Sequence, residues 1–300
     1  MEHSIGGRVR LCGPADLDAA AEFACRCNQN PALGSAFCPQ SRSAIVQDFA
    51  QGVEAGQCLL YWQGDQVRGV LNSYTDWEKG NTDCTLMADV PEYAAVGRAL
   101  LARLREKLPA AMRYTFFFPR ENAACAGLLE ELGARREVQE YQLLLDRDRF
   151  EPRPSPWVAQ PLGEALWPEL AALHDQVFPQ VYVSGQDLLK TLGRSRRAFG
   201  VMNDGALLAY SVLRDNSMDR GTAELIGVRA GCRGRGLGTA VLCRLLQEAF
   251  GPLGLKQMDL IVDGDNETAI GLYLGLGFQV EQVNCCYHLE GQAERNREDS

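Results

Sequence analysis

The chain has 300 residues, 46% of them hydrophobic and 23% charged, and a net charge of −9. Those proportions exclude a largely disordered chain, a collagen-like fibre and a small disulfide scaffold, and at ~100–200 residues per domain the length allows one or two domains. Residues 1–150 carry 16 Lys+Arg against 20 Asp+Glu and residues 151–300 carry 14 against 19, so neither half offers the basic stripe of a nucleic-acid binder.

The first residues, Met1-Glu2-His3-Ser4, show neither a basic n-region nor an apolar h-region. No apolar run approaches the ~18–20 residues of a membrane span. The expectation is a cytoplasmic protein with no membrane or nucleic-acid partner. Eleven cysteines, none in a Cys-x-x-Cys pair, read as reduced and mostly buried thiols. Three histidines, none spaced from a cysteine as metal ligands are, give no expected metal site.

In chain order the first half holds two apolar blocks, Gly97–Leu104 and Asn122–Glu137, and the aromatics Trp62, Tyr74 and Trp77, which read as core more readily than as pocket lining. At residues 146–161, four prolines and six charges rule out a continuing helix or central strand. The expected division is therefore 1–145, a linker at 146–160, a second domain at 161–290 and a polar tail at 291–300. In the second half, Leu166–Phe178 and Gly185–Leu192 read as helices. Ala198–Met202 and Ala206–Leu213 read as strands around an Asn203-Asp204-Gly205 turn. Thr222–Val228 reads as a strand, Gly238–Phe250 as an amphipathic helix, Gln257–Val262 as a buried strand, Thr268–Gly275 as a helix and Gln279–Leu289 as the last strand. The order β-β-β-α-β-α-β makes an α/β (α+β) unit, a mixed sheet with helices on its faces.

The halves repeat one another. Asn122–Glu137 slides by 144 positions onto Asn266–Glu281, matching Asn, Gly, Leu, Leu, Gly and Glu without a gap. Gly97–Leu104 matches Gly238–Leu245 at an offset of 141, and Val90 falls on Val228 at 138. Three blocks in one order indicate a tandem duplication.

The chemistry lies in the second copy. Glu224–Thr239 is an apolar strand running into a four-glycine loop and then straight into a helix. Glycines admit positive φ and close approach, and a helix start offers unpaired N–H groups and the positive end of its dipole, which together suit phosphate. No Gly-Lys-Ser/Thr of a P-loop is present, and no acidic residue follows on a second parallel strand as a dinucleotide fold requires. Glu224 lies four residues before Val228, so period 2 places it on one face with Ile226 and Val228. Burial there would raise its pKa and suit a general base, whereas a neighbouring arginine or a backbone amide satisfying it would leave it structural.

Arg233-Gly234-Arg235-Gly236-Leu237-Gly238 resembles the pyrophosphate motif of the GNAT superfamily of acyl-CoA-dependent N-acyltransferases. Asn266-x-x-Ala269-x-x-Leu272-Tyr273-x-x-x-Gly277-Phe278 is similar to that family's later motif. The resemblance covers residues ~160–290 well and the first half only through the repeat. It implies two tandem GNAT-like domains, each a mixed, mostly antiparallel sheet flanked by helices. It implies acetyl-CoA as co-substrate, with Arg233, Gly234, Arg235, Gly236, Leu237, Gly238 and Thr239 at the diphosphate, Ile226 and Val228 along the pantetheine arm, and the Val228 N–H polarising the thioester. Asn266 would contact the arm or fix its loop, Tyr273 would protonate the leaving thiolate, and Glu224 would be the base. The implied reaction is acetyl transfer to a primary amine of a small molecule or peptide by direct attack in a ternary complex. The alternatives are an acyl-CoA-binding module without turnover and a transferase of longer acyl groups.

The first copy carries Leu86 at the place of Glu224 and Leu129 at that of Tyr273, and its loop after Val90 lacks the arginine and the repeated glycines. It is expected to keep the fold without holding CoA. Tyr182 and Ser184 stand where the family's acceptor pocket lies, though a plain connecting loop reads equally well. His174, on an apolar helix, reads as a satisfied core or surface residue rather than a catalyst. Acceptor and oligomeric state are not encoded legibly.

Overall fold

The computed structural model describes residues 6–179, 181, 183–216 and 219–291. Its elements, in chain order, are β1 (Arg8–Leu11), α1 (Leu17–Asn28), α2 (Arg42–Glu54), β2 (Cys58–Gln63), β3 (Gln66–Asp76), β4 (Asn81–Ala88), α3 (Tyr93–Arg105), β5 (Arg113–Pro119), α4 (Ala123–Glu131), β6 (Arg135–Arg136) and β7 (Glu140–Asp146). The same order, without a counterpart of β6, then recurs: β8 (Gln160–Pro161), α5 (Trp167–Val177), α6 (Gly185–Leu189), β9 (Arg196–Asn203), β10 (Ala206–Asp215), β11 (Arg220–Val228), α7 (Leu237–Phe250), β12 (Gln257–Asp263), α8 (Glu267–Leu274) and β13 (Gln279–Leu289). The expected Asn203-Asp204-Gly205 hairpin is present, with φ of 50° at Asp204 and 79° at Gly205, as a two-residue turn joining right-twisted strands requires.

Two compact units form. One is Tyr141–Gln282; the other is the rest of the described chain, including the strand segment from Val283 onward. In the first unit the strand order is β1-β2-β3-β4-β5-β13. Helices α1 and α2 bury Phe23, Ile45 and Phe49 against Val70 and Met87 on one face, and α3 and α4 bury Leu100, Leu101 and Leu128 against Leu71 and Leu86 on the other. In the second unit the order is β7-β12-β11-β10-β9-β8. Leu170 and Leu188 of α5 and α6 pack on Val212 and Leu225, while Leu242, Leu245 and Leu246 of α7 pack on Leu213, Met258 and Leu260 across the sheet.

The division differs from the sequential one at 146–160. The strand that ends each copy completes the other unit's sheet: Asn284–Leu289 pairs with Tyr114–Pro119 of β5, and β7 lies beside β12. Periodicity shows that Gln279–Leu289 is a buried strand but does not specify which sheet receives it. The segment 146–160 falls wholly within the second unit.

Pairing is mostly antiparallel, and β4 with β5 and β11 with β12 run parallel, where α3 and α7 supply the crossover that parallel pairing needs. Both parallel pairings are short. Asn81–Cys84 pairs with Arg113–Phe116, and Arg220–Thr222 pairs with Gln257–Asp259. Beyond those residues the strands part, leaving backbone edges that need other partners.

Candidate active site

In the second unit the wedge between β11 and β12 opens beyond Thr222 and leads to the glycine loop. Cys232 N–H closes a turn on Arg229 O at 3.0 Å. Gly231, Gly234 and Gly236 follow with φ of 79°, 75° and 81°. Gly236 is the N-cap of α7 in the left-handed region, a conformation costing roughly 1 kcal/mol or more for a residue with a Cβ. A Cβ on Gly231 or Gly234 would meet nothing within 4 Å, so at those two positions backbone geometry rather than crowding selects glycine. Gly238 serves packing instead: a Cβ there would lie 3.3 Å from Leu272 of α8. Leu237 is buried beneath the helix start and Thr239 is partly buried. The first N–H groups of α7 have no partner within the helix and face outward at its positive end, an arrangement suited to diphosphate oxygens. Arg233 and Arg235 are exposed at the rim, and Arg233 Nε donates to Val228 O at 3.5 Å.

Ile226 and Val228 pack with Leu237, Ala240 and Val241 of α7, beneath that loop. Glu224 does not join them. The β10–β11 register slips so that Val212 opposes Leu225 and Leu213 opposes Ala223, leaving Glu224 as the extra residue of a bulge. A bulge resets the alternation of side chains. Glu224 accordingly reaches Arg196, which shares its face of β9 with Ala198, under α5 and α6. Arg196 donates through Nε at 2.5 Å and Nη2 at 2.6 Å, and Arg214 Nη1 stands at 3.6 Å. The Glu224 side chain is 3% exposed. The expected shared face with Ile226 and Val228 is thus corrected. The carboxylate is held by a two-pronged guanidinium pair, the arrangement of a structural ion pair.

Tyr273 is buried on the inner face of α8, edge-on to Phe278 with ring centroids 5.9 Å apart. Burial pushes its phenol up to about 12. Against a thiol near 8.5, full proton transfer from such a phenol runs uphill by about 5 kcal/mol. Such a phenol suits a hydrogen-bond donor better than a proton source. Asn266 is the N-cap of α8, its Oδ1 accepting from Ala269 N–H at 3.2 Å, which fixes the loop and leaves the carboxamide N–H₂ directed elsewhere.

His174 is fully buried: Nε2 lies 2.8 Å from Val183 O and Nδ1 2.7 Å from Tyr210 Oη. A carbonyl only accepts, so Nε2 carries a proton and, in the neutral ring, Nδ1 accepts from the Tyr210 hydroxyl. Of the core and surface settings expected for a satisfied histidine, the structure shows the core one. Ser184 caps α6, accepting from Asp187 N–H at 3.1 Å, and Tyr182 lies outside the described residues. In the first half, Trp62 stacks under Arg10 and Tyr74 donates to Asp48 O, while Trp77 is exposed. Among the described residues no three His, Cys, Asp or Glu side chains cluster to hold a metal, and no helix is long and apolar enough to cross a membrane.

By composition residues 146–161 are only a connection. Instead they run across the second unit. Phe150 packs 5.6 Å from Phe250, Cys243 Sγ contacts Arg153 O at 3.8 Å, and Ser155 and Trp157 bond the glycine loop itself. A tryptophan within a charged, proline-rich stretch was the available signal, because a solvated linker has no use for a large apolar ring.

Residues 159–278 match the family model described as Acetyltransferase (GNAT) family. A "Mycothiol acetyltransferase" from Frankia alni is 28% identical over 227 residues, 66% of this chain and 67% of that protein. One of the same name from Beutenbergia cavernae is 37% identical over 84 residues, 28% of each chain. Among solved structures, a GCN5-related N-acetyltransferase from Sphaerobacter thermophilus superposes with a TM-score of 0.76 over 95% of both chains at 15% identity. A "Tandem GNAT protein from the clavulanic acid biosynthesis pathway" superposes with 0.66 over 95% of this chain and 98% of that one, at 17% identity.

Proposed function

We propose, from the match of residues 159–278 to the GNAT acetyltransferase family model, that this chain moves an acetyl group from acetyl-CoA to a primary amine of a small molecule or peptide by direct attack within a ternary complex. The observation that carries this reading is the coincidence, in one unit, of three left-handed glycines before α7, a stretch of β11 that has parted from β12 and a buried tyrosine.

Residues 233–239 would hold the diphosphate, and the backbone of Ile226–Val228 would hold the pantetheine arm, with a β11 N–H polarising the thioester carbonyl. The amine nitrogen attacks the carbonyl carbon, the C–N bond forms and the C–S bond breaks. The proton that nitrogen sheds balances the one that sulfur finally gains. Tyr273 donates a hydrogen bond to the departing thiolate, holding its negative charge in a buried site. Glu224 anchors the bulge through Arg196 and is not needed to carry the proton. The first unit would support this centre without binding CoA.

A CoA-release assay across small amines, aminoglycosides, peptides with free N-termini and a mycothiol-type acceptor tests the reading, the last included because several relatives bear that name. The expected result is acetyl-CoA-dependent CoA release with one amine class and a product heavier by one acetyl group. CoA binding without release from any acceptor would leave the binding-module alternative, and faster release from longer acyl-CoA would replace the acetyl assignment.

A further inference from the structure

The diphosphate loop is held from behind. Ser155 Oγ accepts from Trp157 N–H at 3.2 Å and donates to Gly236 O at 3.2 Å, so one hydroxyl both shapes the strap and reaches the loop. Trp157 Nε1–H donates to Arg235 O at 2.9 Å. The Trp157 ring packs with Leu237, Ala240 and Val241 at the start of α7. Pro156 lies against Gly236: a Cβ there would meet Pro156 Cδ and Ser155 Oγ, each at 3.6 Å.

These contacts act on the amides that matter. In a trans peptide the C=O and N–H point in opposite directions. Fixing Arg235 O toward the strap turns the Gly236 N–H away from it, and fixing Gly236 O does the same for the Leu237 N–H. Gly236 O also accepts from Ala240 N–H at 3.1 Å, the first bond of the helix. Arg235 O precedes the helix, and there the indole is the hydrogen-bonding anchor. Glycines with φ near 80° have no Cβ to resist a peptide flip, so a loop built from them requires an outside restraint to keep its N–H groups on one side. Prolines 152, 154 and 156 stiffen the segment that supplies the restraint.

We propose that Trp157 and Ser155, on the segment joining the two repeats, are positioning residues for diphosphate binding: they orient the Gly236 and Leu237 amides without touching the ligand. This rests on the diphosphate assignment made above and adds to it the residues that set the loop's geometry.

The test compares CoA with pantetheine, which lacks the diphosphate, as ligands of wild type, Trp157→Phe and Ser155→Ala. Affinity is read by calorimetry, directly for CoA and by displacement for pantetheine. One lost hydrogen bond of ordinary strength predicts about a 3- to 10-fold weaker CoA affinity for Trp157→Phe. About 3-fold is expected for Ser155→Ala, because Gly236 O keeps its helical donor. Pantetheine affinity should stay within about twofold of wild type in both. Should Trp157→Phe fail to fold, Ser155→Ala carries the same comparison. Equal weakening of both ligands would make the strap merely structural and overturn the proposal, as would unchanged CoA affinity in a variant that folds. A wild-type protein that binds pantetheine as tightly as CoA would instead overturn the diphosphate assignment itself.

Discussion

In each unit two parallel strands run together for a few residues and then part, and the two partings are treated differently. In the second unit β11 continues beyond Thr222 beside no strand on its β12 side and ends in a loop of left-handed glycines. In the first unit the chain fills the gap itself. The turn after α1 enters it: Ala36 N–H donates to Phe117 O at 2.9 Å, Ser35 Oγ reaches the same oxygen at 3.1 Å, and Phe37 packs edge-on to the Phe117 ring. Tyr93, where α3 begins, is buried and donates to Leu86 O at 3.0 Å. The repeated asparagine shows the contrast most plainly. Asn266 is exposed at the head of α8, whereas Asn122 is buried at the head of α4 and donates to Gly34 O of the filling turn at 2.9 Å. A parted pair of strands leaves backbone groups that must be paired. Under the proposed function one copy would leave that pairing to the co-substrate, whereas the other satisfies it from its own chain.

The contrast yields graded expectations. Gly236→Glu puts a like charge and a strained φ where the diphosphate would sit, and should lower kcat/KM for acetyl-CoA by more than about 1000-fold; near-normal kinetics would remove the loop assignment. Tyr273→Phe should lower kcat by about 100-fold with CoA affinity unchanged, measured by steady-state kinetics beside calorimetry. Since the Tyr273 phenol lies at about 12, above its ordinary value near 10, it stays protonated through neutral and moderately alkaline pH. Its contribution to folding is complete below about 10 and fades only as pH rises toward 12, so kcat should show no fall from this group below about pH 11.

Glu224→Gln should cost about 3 kcal/mol by breaking a buried ion pair, read as a lower melting temperature, while the pH–rate profile keeps its shape. Loss of one limb of that profile would return Glu224 to the role of base. Tyr93→Phe is the mildest change. It strands Leu86 O and should cost about 1 kcal/mol, with acetyl transfer at the wild-type rate; a substantial loss of turnover would mean that the first unit takes part in chemistry.

Much of this was legible in the sequence. The second-copy helices and strands announce themselves by periodicity, and the glycine loop by the backbone freedom it demands. The absence of the glutamate, the tyrosine and the glycines from the first copy was visible as Leu86, Leu129 and Pro91–Gly97. Three features were not legible, each for a physical reason. The fate of Gln279–Leu289 depends on which sheet edge receives it, and alternation along one strand carries no such address. The face of Glu224 depends on a bulge, which is a property of two strands in register rather than of either alone. The filling of the first wedge uses small side chains and backbone groups of Gly34–Ala36, which have no chemical signature until Phe117 and Asn122 are brought beside them.

The number of CoA molecules bound per chain at saturation tests the asymmetry directly. Calorimetric titration of the full-length protein should give one site, abolished in Gly236→Glu. Two sites per chain, or one that survives Gly236→Glu, would show that the first unit holds the nucleotide and that its filled wedge is no barrier.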